Sequence, residues 1–326
     1  MNFPYKKNFL SISEINKKFE LLKKYRVRKR LKIADYKLHN IRLDKNPSYK
    51  CCPFVIITFG SDYSDFDILS DYFNEKCRMQ CVVFGHDKSP LDFWEENRSR
   101  IIKQSKSKYH SDDAHHLRES LYDLYPHGEC TSHRPILSLS LVQLFHAKSV
   151  LDPCAGWGDR LIGILASKCK YYCGVDPNPC VHEGYKDILA MFNSDNNCTT
   201  KLIESPFETA ILPDVEFDLV YTSPPYFNME TYDKNSVLQS TNKYQNEKNW
   251  FENFLKILLD KSIKSLKHKG HLCININQKK GDNYIYWMLD HMKTHNEMKY
   301  NGILSYAKQK LDNPQPIFVW SKRTKK

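Results

Sequence analysis

The chain of 326 residues has no run approaching the ~18 consecutive apolar residues of a membrane-spanning helix. A helical integral membrane protein is excluded on that ground, and no membrane partner is expected. The stretch from Met1 to Lys7 lacks the apolar centre of a secretory signal, which predicts an intracellular protein, cytoplasmic or nuclear, and not a secreted one. Cysteine supplies 11 residues, scattered singly apart from Cys51-Cys52. An odd, dispersed count predicts reduced thiols inside a cell and not a disulfide framework. Metal-ligand spacing is missing too. Cys77/Cys81 and Cys169/Cys173 are each four residues apart, but a structural zinc site needs two coherent ligand pairs. His110, Asp112, Asp113, His115 and His116 cluster in what reads as a loop or helix start, so no metal site is predicted.

Hydrophobic residues make up 41% of the chain, with 20 Tyr and 17 Phe, which suffices for one large domain and a smaller one. Charge is unevenly placed. Lys and Arg exceed Asp and Glu by 11 within residues 1–50, which equals the net charge of the whole chain. The block is densest at Lys23, Lys24, Arg26, Arg28, Lys29 and Arg30, interleaved with Tyr25 and Val27. Such a basic segment suits contact with the phosphates of a nucleic acid, which adds affinity but no sequence choice. A solvated helix face or a nuclear address would carry the same composition.

Residues 217–221 form a short apolar run that reads as a strand, and Thr222-Ser223-Pro224-Pro225-Tyr226-Phe227 comes directly after it. Two prolines fix φ and remove two N–H donors, so the turn presents acceptors beside an aromatic face. Ser223 adds a hydroxyl and Tyr226 a flat ring. That combination suits a planar heterocycle with an exocyclic amine: the ring stacks and the amine donates. An ordinary strand-to-loop turn is the plainer reading of the motif alone.

Seventy residues upstream, the apolar strand Ser149-Val150-Leu151 ends in Asp152-Pro153-Cys154-Ala155-Gly156-Trp157-Gly158, followed by a helix from Leu161 to Ala166. A second strand, Tyr171 to Val175, ends in Asp176, 24 residues after Asp152 and near the ~20-residue spacing of a ribose-binding acid. A dinucleotide fingerprint would need a third glycine where Leu161 stands.

These paired motifs resemble class I S-adenosylmethionine-dependent methyltransferases over residues 126–326. More narrowly, they resemble the amino-methyltransferases that act on N6 of adenine or N4 of cytosine, whose catalytic motif is Asp/Asn/Ser-Pro-Pro-aromatic. Similar proteins occur in large DNA viruses and phages. The resemblance implies S-adenosyl-L-methionine as cofactor and a nucleic-acid substrate, DNA ahead of RNA. It implies Ser223, Pro224, Pro225 and Tyr226 as the catalytic turn. It places the cofactor on Asp152, Pro153, Cys154, Ala155, Gly156, Gly158 and Asp176. Thr131, Ser132 and Arg134 would hold the cofactor's amino-acid end, and Ser205, Phe207 and Glu208 its adenine. Two positions depart from the pattern: Cys154 stands where Phe is usual, and Ser223 is more typical of the N4-cytosine enzymes.

The expected fold is α/β, a Rossmann-like doubly wound sheet, because strand and helix patterns alternate from residue 136 onward. Three regions are predicted: a basic helical arm (1–50), a small α/β extension (51–125) that is either a separate unit or an addition to the sheet, and the methyltransferase domain (126–326). Residues 228–247, polar and rich in Tyr and Asn, read as a mobile loop on the target side. Carbon-5 cytosine methylation is disfavoured, because its Pro-Cys nucleophile would follow the fourth strand, where Pro224-Pro225-Tyr226 stands. An RNA enzyme and a non-catalytic binding module on the same fold are the remaining alternatives.

Overall fold

The structure is a computed structural model that describes residues 2–27, 30–33, 54–58, 64–83, 85–195, 197–234, 236–307 and 315–324. The first third of the chain supplies helix α1 (Ile12–Lys24), strands β1 (Arg30–Ile33) and β2 (Phe54–Thr58), helix α2 (Ile68–Arg78), the short strand β3 (Val82–Val83), and helices α3 (Pro90–Tyr109) and α4 (Ala114–Leu124). Strand and helix then alternate through α5 (Pro135–Phe145), β4 (Ser149–Asp152), α6 (Asp159–Leu165), β5 (Tyr171–Asp176), α7 (Pro179–Phe192), β6 (Thr199–Glu204) and β7 (Phe217–Thr222). After β8 (Glu230–Thr231) and α8 (Ser240–Lys243) comes one helical run: α9 (Glu247–Trp250), a π-helical turn (Phe251–Leu255) and α10 (Lys256–Lys264). Strand β9 (Leu266–Asn275), helix α11 (Tyr284–Thr294) and strands β10 (Met298–Ala307) and β11 (Gln315–Lys322) complete the chain.

Among the described residues the main sheet runs β1-β2-β10-β11-β9-β7-β4-β5-β6. The strands β6, β5, β4, β7 and β9 are mutually parallel, and β11 is antiparallel to both β9 and β10. This is a Rossmann-like doubly wound sheet. The first strand of the alternating series, β4, lies between β5 and β7, so the chain winds one way through β5 and β6 and the other way through β7 and β9. A crevice opens above the carboxyl ends of β4 and β7, where the direction reverses.

Alternation along each strand splits the core into two layers. Val150, Tyr172 and Leu219 face a cluster with Leu137, Leu161, Val181 and Ile188 from α5, α6 and α7. Their chain neighbours Leu151, Cys173 and Val220 face Trp250, Leu258, Ile285 and Met288 on the opposite side. The central strands β4, β5 and β7 are therefore buried on both faces, as parallel strands require, while β6 at the end of the sheet has no buried residue.

The N-terminal regions are not appended loosely to this sheet. Helix α1 starts with a capping box, Ser11 to Glu14, and buries Ile15, Phe19 and Leu22. Phe19 stacks on Phe192 of α7 at 4.0 Å between ring centroids. The backbone of Tyr25 and Val27 is held by Gln143 of α5, at 2.9 and 3.1 Å. Strand β2 joins the sheet parallel to β10, and β1 pairs with β2. The segment around β2 thus extends the main sheet, one of the two arrangements that the sequence leaves open. The arm is in part a docked helix and an edge strand. Arg28 and Lys29 lie outside the described residues.

One expectation is corrected outright. Cys77 of α2 and Cys180 of α7 form a disulfide, with Cα atoms 5.9 Å apart. The two helices pack side by side, which brings together residues 103 positions apart in sequence. No sequence spacing announces such a pair. The Asp/His cluster is a helix start, as expected: Asp113 caps α4 by accepting from the His116 N–H.

Candidate active site

A cavity of about 540 Å³ sits over the carboxyl ends of β4, β5, β6 and β7, within the usual size of a small-molecule site. Its floor is the β4–α6 turn. Gly156 and Gly158 have φ of +63° and +91°, and a Cβ on Gly158 would stand 2.7 Å from Ile188 Cδ1. Gly158 is needed for its φ and its close packing against α7, while Gly156 leaves its backbone bare beside the cavity. Asp152 lies beneath, buried, accepting from Arg160 Nε at 2.8 Å and from the Tyr172 hydroxyl at 3.1 Å. Its place is structural to the turn, not on the cavity wall. The Cys154 N–H reaches across to Thr222 Oγ1 at 3.1 Å, which ties the ends of β4 and β7 together.

At the end of β5, Asp176 lines the cavity. Its carboxylate accepts from the Gly156 N–H at 2.8 Å and the Asn178 N–H at 3.0 Å. Burial raises its pKa, and these two N–H groups oppose the rise. After β6, Phe207 and Glu208 reach the cavity. Phe207 is buried against Lys261, whose ammonium lies 4.8 Å from the ring centroid. Glu208 accepts from Lys243 at 3.0 Å and from the Tyr244 hydroxyl at 3.1 Å. Ser205 points elsewhere: its hydroxyl donates to the Pro206 carbonyl at 3.1 Å.

The loop before α5 brings Thr131, Ser132 and Arg134 to the same cavity. Arg134 pairs with Asp67, so part of its charge is already met. Ser132 donates to Asp159 Oδ1 at 2.8 Å, and Ser70 of α2 donates to the same oxygen. Asp159 Oδ2 has no partner among the described residues. Burial pushes the Asp159 carboxyl up to about 6, with the two serines acting against it. Neither Asp159 nor Ser70 is named by the sequence motifs; an acid directly after Gly-Trp-Gly is the only sequence sign of the first.

The turn after β7 forms the opposite wall. Ser223, Pro224, Pro225 and Tyr226 all line the cavity, and the Ser223 and Tyr226 hydroxyls are 3.0 Å apart. Burial pushes Tyr226 up to about 12, so it is a neutral phenol at ordinary pH. Phe227 comes next at φ 48°, an uncommon conformation for a bulky residue, and packs 5.7 Å from Trp250. Such a strained residue directly after the motif fits a turn held for a purpose.

The described residues 228–234 and 236–247 are tied over the cavity and do not hang free as a loop. Glu230 and Thr231 pair with Val82 and Val83 of the N-terminal extension. Glu230 accepts from the Thr131 N–H at 3.0 Å and from the Tyr232 hydroxyl at 2.9 Å. Tyr232, Gln239 and Ser240 add to the roof. Glu230 and Tyr232 are further lining residues that the sequence motifs do not announce.

Of the basic residues, Lys23 pairs with Glu20 at 2.8 Å and Arg26 donates to the carbonyls of Lys23 and Tyr25. Lys24 is exposed. None of the three lines the cavity. Arg30 starts an edge strand.

No protein-family model and no curated protein sequence matches the chain. Among solved structures, it is similar to a proposed rRNA-methylase from Clostridium thermocellum, with 13% identity and a TM-score of 0.41 over 60% of this chain and 100% of that one. It is also similar to a proposed O-methyltransferase from Klebsiella pneumoniae, with 11% identity and a TM-score of 0.40 over 69% of this chain and 89% of that one. A third is a proposed methyltransferase from Streptococcus mutans in complex with SAH, with 15% identity and a TM-score of 0.39 over 59% of this chain and 99% of that one. Likenesses this distant assign neither substrate nor chemistry. Strand order and the residues of the cavity are the firmer guide to function. Among the described residues no helix is long and apolar enough to cross a membrane.

Proposed function

We propose that the protein is an S-adenosylmethionine-dependent methyltransferase that modifies an exocyclic amino group of a nucleic-acid base, N4 of cytosine or N6 of adenine, in DNA ahead of RNA. The observation that carries this reading is one cavity with two unlike walls. One wall is the glycine turn with Asp176 and Asp159; the other is Ser223-Pro224-Pro225-Tyr226.

The residues fit the cofactor. The bare backbone at Gly156 leaves room for a bulky ligand, and Asp176 offers carboxylate oxygens to ribose hydroxyls. The unpartnered Asp159 Oδ2 offers an anion to an ammonium group. When bound, the cofactor supplies an electrophilic methyl on a sulfonium.

The chain's own task is to prepare the amine. An aromatic exocyclic nitrogen is a poor nucleophile because its lone pair is conjugated into the ring. Hydrogen bonds from its N–H groups to Ser223 Oγ and the Pro224 carbonyl draw it toward tetrahedral geometry. Tyr226 holds the ring, a stacking contact worth ~1–3 kcal/mol per base. Its phenol stays neutral, and the neighbouring Ser223 hydroxyl remains an acceptor. No strong base is needed before attack, since the proton is lost once nitrogen is cationic. Positioning supplies much of the rate. In duplex DNA the base must leave the stack to reach this cavity.

The test is incubation of the purified chain with isotope-labelled S-adenosylmethionine and separate pools of DNA and RNA, followed by nucleoside mass spectrometry. Label on N4-methylcytosine or N6-methyladenine is expected, and its loss by orders of magnitude in Tyr226→Ala. Label confined to RNA would move the substrate class. No labelled base in either pool, or undiminished transfer by Tyr226→Ala, would overturn the reading.

A further inference from the structure

On the side of the sheet covered by α10 and α11, away from the cavity, three ligating side chains converge. His291 Nε2 lies 2.6 Å from Asp260 Oδ1, His295 Nε2 lies 3.0 Å from the same oxygen, and the two Nε2 atoms are 3.3 Å apart. The histidines stand four residues apart, His291 in the last turn of α11 and His295 directly after its end. Asp260 comes from the facing helix α10. The side chains of His291, His295 and Asp260 are 14, 20 and 37% exposed, so the cluster is half-sheltered and still open to solvent. None of the three lines the cavity.

We propose that Asp260, His291 and His295 form a binding site for one divalent transition-metal ion, of the kind that favours imidazole: Ni²⁺, Zn²⁺ or Cu²⁺. The spacing supports this. Two imidazole nitrogens at ~2.0–2.1 Å from a tetrahedral ion stand roughly 3.3–3.4 Å apart. The two histidines already have that separation. The distances to Asp260 are those of hydrogen bonds, and a small outward rotation of this half-exposed carboxylate brings it to ligand spacing. Two nitrogens and one carboxylate oxygen suit these metals, whereas Mg²⁺ and Ca²⁺ favour shells built of oxygen. His295 carries a further feature of a ligand. Its Nδ1 faces Glu297 Oε1 at 3.4 Å, which turns the ring so that Nε2 points to the centre. Three protein ligands leave a fourth position for water. Because His295 follows α11 and leads into β10, a bound ion would clamp α10 to that junction.

The probe is Ni²⁺ alone, because Zn²⁺ would also seek the thiols of a chain with 11 cysteines. An untagged, chelator-treated full-length chain is titrated by calorimetry, and its thermal midpoint is followed. One equivalent bound in the micromolar range is expected, with a rise in the midpoint. His291→Ala and His295→Ala should each weaken binding by about tenfold or more, the usual scale for loss of a contact that supports a metal. Asp260→Asn should weaken it less. The positions are partly exposed, so folding should survive; His295→Gln is the fallback, with circular dichroism as the check. Failure of the parent to bind at millimolar Ni²⁺, or parental affinity in the double histidine variant, would overturn the site.

Discussion

At the scale of single residues, the cavity sorts its carboxylates by environment. Asp152 is met by Arg160 and Tyr172 and holds the turn, while Asp176 accepts backbone N–H groups from the turns after β4 and β5. Asp159 differs, since one oxygen takes two serine hydroxyls and the other has no partner among the described residues, and its carboxyl is raised by burial to about 6 from an ordinary 3.8. If it faces the ammonium of the cofactor, only its ionised form makes the contact. Cofactor affinity should therefore be full above about pH 7 and fall as pH drops through about 6. The sign comes from the raised pKa: protonation removes the anion at a pH where an ordinary carboxylate would still be charged. Asp176 is raised in the same direction, so the diagnostic quantity is a difference. Asp159→Asn, which keeps an acceptor for Ser70 and Ser132, should bind more weakly at neutral pH and lose much of the dependence near pH 6. Calorimetry with S-adenosylhomocysteine across pH 5 to 8 measures both; superimposable profiles would take Asp159 out of the cofactor site.

At the scale of elements, the parts legible in the sequence are those with a strong local signal. The strand ends at Asp152, Asp176 and Thr222 come from apolar runs stopped by a glycine or proline turn, and they fall at one edge of the sheet as expected. The basic cluster is readable as composition, but the docking of its helix through Ile15, Phe19 and Leu22 is not, since an amphipathic stripe names no partner. The pairing of Val82-Val83 with Glu230-Thr231 is hidden for a related reason: two residues per strand carry no period. The paired histidines at the end of α11 meet their aspartate only once α10 packs beside them, so their spacing alone announces nothing. The disulfide is the sharpest case, because it depends on α2 and α7 lying side by side. Closing a loop of this size, with Cys77 and Cys180 103 positions apart, is worth about 4–5 kcal/mol in the chain-entropy account. Dithiothreitol should thus lower the thermal midpoint of the parent by several degrees. Cys180→Ser should start from that lower midpoint and ignore the reductant. Complete alkylation of Cys77 and Cys180 in the unreduced, unfolded chain would show that the bond does not form.

At the scale of the whole molecule, the first 50 residues hold an excess of positive charge equal to the net charge of +11, while the remainder is balanced. A nucleic acid would be drawn to that end by counterion release, with no information about base sequence. Removing the segment is a poor test of this idea. Phe19 and Leu22 are buried against the sheet layer that carries α7, so a deletion would expose core surface and confuse unfolding with lost affinity. Neutralising charge without touching packing is cleaner. Lys23 and Lys24 close α1 and are exposed, and so is Arg26 just beyond it, although its guanidinium also donates to the carbonyls of Lys23 and Tyr25. Changing all three to Gln should leave the thermal midpoint and cofactor affinity near parental values. Each phosphate contact contributes ~0.9 to the slope of log K against log salt on duplex DNA, so the slope should become shallower by up to about 2.7. The change should fall short of that limit, because Lys23 is already paired with Glu20 at 2.8 Å. Fluorescence anisotropy with one duplex over a salt series gives the slope directly. An unchanged slope would leave the basic block as a solvated face or a targeting signal, and would move the search for phosphate contacts to the rim of the cavity itself.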